Sequence, residues 1–383
     1  MKISFPYMGQ VLGYKKLLEG LGHEVIMPHK PTQKTFDLGV LYSPEFICYP
    51  FKVMMGTYIE ICDQGAELIV SSGGSGPCRA GMYCEVHRKI LKQLGYKTEV
   101  LIFDSIFQHP VKFIKKMLKL KNKTSIFKVA SLIRYTLKLL PLLDKIDEKI
   151  KVLRAYEINS GDFDRALEKI HNIFNKTSKT KELIFAFEQA NQILDSVPVK
   201  MREENEKVRI GIVGEIYVAM EAATNNEIEK RLNALGVEVA NNQTISGWIE
   251  HHTAIRKNRK KESWRIFDSG LEYRRCACGG HAVENTGWIK EYAEKGFDGV
   301  IHLMPFGCLP ELVTRSIIPQ MTADLDIPIL TMSIDEQNGE ANTQTRLEAF
   351  VDLCKSKKKA KLKFPNVEIN NAQNSRTETA GRK

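Results

Sequence analysis

The sequence predicts an α/β protein built from two similar halves, each with a parallel sheet, and a helical insert between them. Strand-like and helix-like segments alternate over residues 1–106 and again over 208–354. Residues 107–207 instead carry apolar side chains three and four positions apart, which is the helical period. Strands that alternate with helices are typical of a parallel sheet, and 383 residues exceed the usual size of one hydrophobic core.

The first half follows a strand–helix order from its first residues. Strands are predicted where apolar and β-branched residues run together, and helices where apolar residues recur at helical spacing. A glycine closes the first of these helices, as glycine commonly does at a helix end. We predict strands over residues 2–7, 23–28, 67–72 and 97–103, and helices over 11–22, 50–66 and 78–95.

The second half resumes this order after the insert. Alternation returns in the segment VRIGIVGEIYV and ends with the helix TQTRLEAFVDLC. The remaining residues are basic and polar, and we predict that they form a disordered tail. The predicted parts are an N-terminal α/β half (1–106), a helical insert (107–207), a C-terminal α/β half (208–354) and a basic tail (355–383).

The composition predicts a soluble protein with neither nucleic acid nor a membrane as its partner. Hydrophobic residues make up 43% of the chain and charged residues 27%. The longest apolar runs are far shorter than a bilayer span, and the N-terminus lacks a signal core, so we predict a cytoplasmic protein. Much of the net charge of +10 lies in residues 111–128 and in the tail. The positive charge in these two regions predicts solvated surfaces, with a surface for an anionic ligand as the alternative. Basic residues are not interleaved with aromatic ones as single-strand binding requires.

The spacing of four cysteines links the two halves. Cys48 precedes Cys78 by thirty residues, and Cys278 precedes Cys308 by the same number. In each half the first cysteine comes before a helix and the second follows the next strand. Because open α/β sheets bind ligands at the carboxyl ends of their strands, we expect the four thiols to converge on one site.

Three kinds of site are compatible with these cysteines. Structural zinc usually shows paired C-x2-4-C knuckles, which these spacings do not match, although a catalytic zinc stays open. A nucleophilic thiolate would use one cysteine with a base such as His281 or His302. An iron–sulfur cluster accepts thiolates that are scattered in sequence and gathered in space, and the residues favour it over zinc.

The turn GGSGPCRAGMYC, which contains Cys78, is suited to hold an anionic cluster. Bare backbone N–H groups at Gly74 and Gly76, together with the N-terminus of the next helix, would stabilise negative charge. Arg79 lies at that helix start, where the helix dipole disfavours a cation, so it indicates an anion nearby.

The remaining cysteines divide into two groups. Cys84 and Cys276 lie close enough in sequence to the predicted ligands to be additional ligands. Cys62 lies in mid-helix and Cys354 ends a helix, so both are expected to be structural thiols.

Four polar residues are candidates for supporting roles. Lys52 lies one helical turn beyond the first cysteine and would balance cluster charge or simply be solvated. Glu215 ends a strand and would act as an acid/base group or as a helix cap. His281 is either a proton donor or an N-terminal helix residue, and the helix dipole alone explains Glu311.

Five segments together resemble the 2-hydroxyacyl-CoA dehydratase superfamily. More narrowly, they resemble its CoA-protein activase or acyl-CoA dehydratase activase-related members, which are kin to double-cubane cluster proteins. The resemblance covers most of residues 1–106 and 208–354, and the helical insert has no counterpart that aligns. The segments are YSPEFICYPFKVMMGTYIE, GPCRAGMYCEV, VGEIYV, PFGCLPE and DEQNGEANTQTRLEAFVD.

The resemblance implies two Rossmann-like halves, each a doubly wound parallel sheet, with an iron–sulfur cluster between them. In the dehydratases the cluster receives one electron from an ATP-hydrolysing activator and drives radical elimination of water from a 2-hydroxyacyl-CoA. Carried over by motif, Cys48, Cys78 and Cys308 match the cluster cysteines best. The motif GGHAVENTG is present, but the CAC before it departs from the family pattern. Its two cysteines, with Cys84, make an 8Fe–9S double cubane an alternative to a 4Fe–4S cluster.

The word activase conflicts with the sequence. An activator must bind ATP, yet the chain has no G-x-x-x-x-G-K-S/T loop, and GGSGPCRAG lacks the lysine. We therefore expect this chain to accept electrons from a separate ATP-hydrolysing activator. The expected substrate is a small acyl-CoA, and a dimer is left open.

The functional hypotheses are three. The first is an iron–sulfur dehydratase or reductase component, the second a non-catalytic iron–sulfur scaffold or electron carrier, and the third a zinc- or cysteine-dependent transferase. The colour of an anaerobic preparation separates the third from the others. Turnover of a CoA ester with an activator separates the first from the second.

Overall fold

Two four-stranded parallel sheets form the centre of the protein, one in each half. The computed structural model describes residues 1–73, 78–103, 110–253, 262–274, 279–337 and 339–363. The first sheet contains β1 (Lys2–Ser4), β2 (Glu24–Val25), β3 (Leu68–Ser72) and β4 (Glu99–Phe103). The second contains β5 (Val208–Gly214), β6 (Val237–Asn241), β7 (Gly299–Pro305) and β8 (Ile329–Ile334).

The two sheets have the same strand order. The first is ordered β2-β1-β3-β4 and the second β6-β5-β7-β8, and every pairing within them is parallel. In such an order the chain leaves the two central strands toward opposite edges, which opens a crevice at their carboxyl ends. The prediction of an α/β fold with two similar halves is confirmed. The crevices lie beyond β1 and β3 in the first half and beyond β5 and β7 in the second.

Helices cover both sheets and form the insert between them. The first half has α1 (Val11–Gly20), α2 (Gln33–Tyr42), α3 (Tyr49–Asp63) and α4 (Ala80–Gln93). The insert has α5 (Pro110–Leu120), α6 (Ile126–Leu153), α7 (Asp162–Lys176) and α8 (Glu182–Asp195), with a 3₁₀ turn at Arg154–Tyr156. The second half has α9 (Ile216–Met220), α10 (Ile228–Ala234), α11 (Ile245–Thr253), α12 (Glu262–Gly270), α13 (Ala282–Glu294), α14 (Leu309–Leu325) and α15 (Glu340–Lys363). None of the helices in these described ranges is both long enough and apolar enough to cross a membrane.

The long helix α6 connects the insert to both halves. Its Leu140 packs directly on the bare backbone of Gly13 in α1, in the first half. At its other end the buried ammonium of Lys151 lies 2.8 Å from Asp147 and 3.2 Å from Glu229, which belongs to α10 of the second half. The insert therefore contacts both halves, and these contacts include an apolar contact with the first half and a buried ion pair with the second.

Two features of the fold differ from the sequence-based expectation. Helix α2 was not predicted, because its apolar face is short and partly exposed. Residues 355–363, predicted to begin a disordered tail, instead continue α15 as a helix. Contacts at the start of β5 hold these turns in place, since Lys358 donates to the carbonyl of Lys207, the residue before β5, at 2.6 Å, and Cys354 is fully buried. Residues 364–383 lie outside the described part of the chain.

Two glycines allow α2 and α3 to cross with their backbones nearly touching. A Cβ atom built on Gly56 of α3 would lie 1.9 Å from the carbonyl oxygen of Thr35, and one built on Gly39 of α2 would lie 2.1 Å from that of Lys52. No real side chain fits at these distances. The crossing fixes the position of α3, whose N-terminus carries Cys48.

The substitution Gly56→Ala should therefore separate the two helices. Overpacking of this kind costs about 1–3 kcal/mol of unfolding free energy, which exceeds the roughly 1 kcal/mol that alanine gains over glycine in a helix. Denaturant unfolding followed by circular dichroism would measure the difference. Gly339→Ala is the matched control, because a Cβ there meets nothing within 4 Å. Equal stability of the two variants would contradict the close crossing.

Candidate functional site

Three cysteines lie at the starts of three helices where the two halves meet. Cys48 is the N-cap residue of α3 and Cys308 is the N-cap residue of α14. Cys78 lies between β3 and the first turn of α4. Cys48 and Cys308 are buried, and Cys78 is partly buried. Free N–H groups and the positive end of the helix dipole therefore lie next to each thiol, and both favour bound negative charge.

Arg79 joins the chain segments that carry these three cysteines. It follows Cys78 directly, and its Nη1 donates to the carbonyl oxygen of Phe46, two residues before Cys48, at 2.9 Å. Its Nη2 donates to the carbonyl oxygen of Gly307, the residue before Cys308. The anion that the sequence indicated near Arg79 is not needed to explain its position, because two carbonyl oxygens accept from its guanidinium.

Two glycines with left-handed backbones let the same segments approach closely. Gly307 has φ of +75°, and a Cβ built on it would lie 3.3 Å from the Arg79 guanidinium and 3.7 Å from Cys48 Cα. Gly280 has φ of +59°, and its Cβ would lie 2.9 Å from Pro310 Cγ and 4.0 Å from Cys78 Sγ. Any other L-residue would be strained at both positions. The first and second halves thus contact each other around the cysteines with little space between their backbones.

The three thiols are fully or partly buried and lie close to carboxylates. Burial raises the pKa of Cys48 and of Cys78, and burial together with Glu311 raises the pKa of Cys308 far above its ordinary value. The hydroxyl of Tyr83 hydrogen-bonds Cys48 Sγ and opposes part of that rise. A nucleophilic cysteine is activated by a lowered pKa, and the surroundings of these three thiols shift their pKa values in the opposite direction.

A buried ion pair closes the junction on its other side. Lys52, predicted either to balance cluster charge or to be solvated, lies one turn after Cys48 in α3 and is only 5% exposed, so the solvated alternative is wrong. Its Nζ lies 2.5 Å from Glu336 Oε1, just after β8 of the second half. Removing one partner would leave an uncompensated buried charge, so the pair stabilises the contact between the halves.

A polar network lies beneath the first turn of α14. Glu311 is 1% exposed, and its carboxylate accepts from Asn285 Nδ2 at 3.0 and 2.9 Å. His302, fully buried in β7, lies with Nε2 2.8 Å from the same carboxylate. Asn285 Oδ1 in turn accepts from the amide of Gly214 at 3.2 Å and from Gln243 at 2.9 Å. Glu311 therefore has specific buried partners, and the helix dipole alone does not account for it.

Glu215 caps a helix next to the thiols. It follows β5, and one carboxylate oxygen accepts from the amides of Tyr217 and Val218 at 3.1 Å each, which makes it the N-cap of α9. Burial raises its pKa to about 7, and Glu311 adds to the rise. The contacts of the Glu215 carboxylate are therefore those of a helix cap, one of its two predicted roles. Its raised pKa also fits a group that exchanges protons near neutrality, so the acid/base role stays a prediction.

His281 lies at the start of α13, as one of its two predicted alternatives states. It is the N-cap residue and lines a cavity of about 340 Å³ between the insert and the second half. The cavity lies beyond the carboxyl end of β6 and runs along the first turns of α13, where Glu284 and Trp288 also line it. The histidine therefore lies on the wall of a partly open cavity.

The other candidate cysteines lie apart from these contacts or outside the described residues. Cys84 Sγ lies 3.3 Å from both Ser71 Oγ and the carbonyl of Ser72, against the end of β3. Cys62 and Cys354 are buried in the apolar core, as expected. Four predicted site residues, Gly74, Gly76, Cys276 and Cys278, lie outside the described residues. Among the side chains that are described, no group of three or more His, Cys, Asp or Glu is arranged as a metal site.

Sequence reasoning did not find Asn285 or the partners of Arg79. Asn285 lies in the quoted motif GGHAVENTG, but an amide in a helix carries no chemical signal of its own. The carbonyl partners of Arg79 belong to the backbone and leave no trace in residue types.

Comparison with known families identifies a match over most of the first two thirds of the chain. The family model described as CoA enzyme activase uncharacterised domain (DUF2229) matches residues 4–245, which is more than half of the chain. The matched region begins in β1, includes the whole insert and ends just after β6. A search of curated proteins gave no significant match.

The hydrogen-bond network around Glu311 should contribute to the free energy of unfolding. Asn285→Ala should lower the free energy of unfolding by about 1–3 kcal/mol, because it removes the amide donor to the buried Glu311 carboxylate and the side-chain acceptor of the Gly214 amide. Urea denaturation would measure it. The control is Asn159→Ala, since Asn159 is exposed and should change stability by less than about 0.5 kcal/mol. Indistinguishable midpoints for the two variants would show that the network does not stabilise the fold.

Proposed function

The chain belongs to the CoA enzyme activase-related family, and from this premise we propose that it is an iron–sulfur protein of the 2-hydroxyacyl-CoA dehydratase type. In this proposal it accepts low-potential electrons from a separate ATP-hydrolysing activator and uses them in reductive or dehydration chemistry on a small acyl-CoA. The observation that carries the proposal is the meeting of the Cys48, Cys78 and Cys308 segments, which Arg79 joins at the junction of the halves.

The donor set fits an iron–sulfur cluster. Three thiols come from loops far apart in sequence, which an iron–sulfur cluster accepts and a structural zinc knuckle does not. All three lie near helix N-termini, whose N–H groups and dipoles stabilise the negative charge of a cluster bound to thiolates. The candidate fourth ligand, Cys278, lies outside the described residues.

The protein's own residues would hold the loops and exclude water. Arg79 fixes the three cysteine segments relative to one another, and the Lys52–Glu336 pair fastens the opposite side of the junction. Burial of Cys48 and Cys308 keeps their surroundings largely free of solvent. When bound, the cluster would supply one-electron chemistry at low potential, since charge, hydrogen bonds and solvent exposure together set iron–sulfur potentials.

Proton transfer would depend on groups around the same junction. Glu215 lies close enough to Cys48, Cys78 and Cys308 to raise their pKa values. His281 lines the adjoining cavity and is the second candidate for this role. Glu215 would give or accept a proton at a carboxylate oxygen, and His281 would do so at a ring nitrogen.

Iron analysis of cysteine variants tests the proposal. Anaerobically purified wild-type protein should contain iron and acid-labile sulfide in near-equal amounts. Cys48→Ala, Cys78→Ala and Cys308→Ala should each lose most of both, because each removes a thiolate ligand. Cys62→Ala and Cys354→Ala are the controls, since both thiols lie in the apolar core and should leave iron content unchanged.

Two results would contradict the proposal. One is stoichiometric zinc with no iron after anaerobic expression and reconstitution, which would favour the zinc- or cysteine-dependent transferase. The other is equal iron content in all five variants, which would place the metal elsewhere in the chain.

A further inference from the structure

Arg274 is a buried cation whose side chain makes no hydrogen bond to the protein. It follows α12, where its backbone amide donates to the carbonyl of Gly270 at 3.2 Å, and the residue is only 3% exposed. Its Nε, Nη1 and Nη2 atoms are all enclosed, and none of them has a partner in the described structure. A guanidinium carries five N–H donors and no acceptor, so this position leaves a full set of donors unused.

Two other arginines of the chain have the hydrogen-bond partners that Arg274 lacks. Arg265, on the preceding helix, donates to both carboxylate oxygens of Glu291 at 2.6 and 2.8 Å. Arg231 donates to the carbonyl of Asn226 at 2.6 Å and to Glu340 at 2.9 Å. Both are more exposed than Arg274. Buried charges are normally paired, because an uncompensated one costs several kcal/mol.

The position of Arg274 relates it to the cavity along α13. Arg274 opposes the effect of burial on the pKa of Glu284, so the guanidinium lies within electrostatic reach of that carboxyl. Glu284 lines the cavity and is already engaged by His251, whose Nε2 lies 3.5 Å from it. Arg274 does not itself line the cavity. It follows α12, whose last residue, Gly270, packs on the backbone of Val283 and Gly287 in α13, and among the described residues its guanidinium belongs to no ion pair.

We propose that Arg274 is the recognition residue for an oxyanion, a carboxylate or phosphate group on a small molecule that enters beside the first turn of α13. The planar guanidinium can donate two parallel hydrogen bonds to such a group, and burial strengthens them because little water competes. The cavity of about 340 Å³ would receive the rest of the molecule, with Trp288 and His281 on its wall. This inference goes beyond the proposed function and does not depend on the iron–sulfur centre.

Thermal unfolding of the full-length protein tests the inference without any activity assay. In a zwitterionic buffer low in anions, Arg274→Met should melt at least about 2 °C above wild type, because it replaces an unpaired buried charge by an apolar side chain of similar length. Arg231→Met is the matched control and should melt below wild type, since that arginine has partners.

Titration with inorganic phosphate and with malonate provides the second arm. Either probe should raise the Tm of wild type saturably above a chloride control of equal ionic strength, by mass action on the folded state. Arg274→Met should show no such rise, and Arg274→Lys should show a smaller one, because lysine keeps the charge but loses the two-pronged geometry. Which probe acts distinguishes a phosphate-bearing molecule from a carboxylate.

Anion binding by the wild-type protein can also be followed directly by NMR, so this readout does not depend on whether Arg274→Met folds. The ¹⁵N resonances of arginine Nε should include one that shifts on titration with the effective anion and is absent from Arg274→Lys. The inference is overturned if Arg274→Met melts below wild type, or if neither probe raises the Tm of wild type more than that of Arg274→Met. The readouts are the Tm and the arginine resonance rather than iron content, so failure of the iron–sulfur proposal and failure of this one give different results.

Discussion

The contacts of Arg79 are the constraint on which the rest of the junction depends. The Arg79 guanidinium donates to the carbonyl of Phe46, two residues before Cys48, and to the carbonyl of Gly307, directly before Cys308. Arg79 itself directly follows Cys78 in the chain. A cation at a helix start is unfavourable by the helix dipole, so the two carbonyl acceptors must offset that effect. The arrangement brings two segments of the first half together with a segment of the second half that lies beyond the whole insert in sequence.

The two sheets share one strand order, and this shared order places the cysteine segments at the junction of the halves. Both sheets place a crevice beyond their two central strands, and a cysteine follows the third strand of each sheet. The Lys52–Glu336 pair and the network of Glu311 with Asn285 then fix the helices whose N-termini face the junction. Each of these contacts uses a buried charge with defined partners, which Arg274 lacks.

The sequence predicted the architecture well because periodicity and strand–helix order are local signals. It placed the four strands of the first sheet and the helical character of the insert, and it recognised that the halves repeat. It missed α2 and the continuation of α15 to Lys363, because tertiary contacts stabilise both. It also could not supply the partners of Arg79, Lys52 or Arg274, since contacts across hundreds of residues, or their absence, depend on packing. The ligand role of the cysteines stays a prediction.

The most direct test of the central claim is the iron and sulfide content of two Arg79 variants purified anaerobically. Arg79→Gln should lose most of both, because the segments of Cys48 and Cys308 then lose the guanidinium that donates to both of them. Arg79→Lys should also fall well below wild type, since one ammonium cannot reproduce the two-pronged geometry of the guanidinium. Wild-type iron and sulfide in both variants, with unchanged stability, would contradict the claim that Arg79 assembles the site.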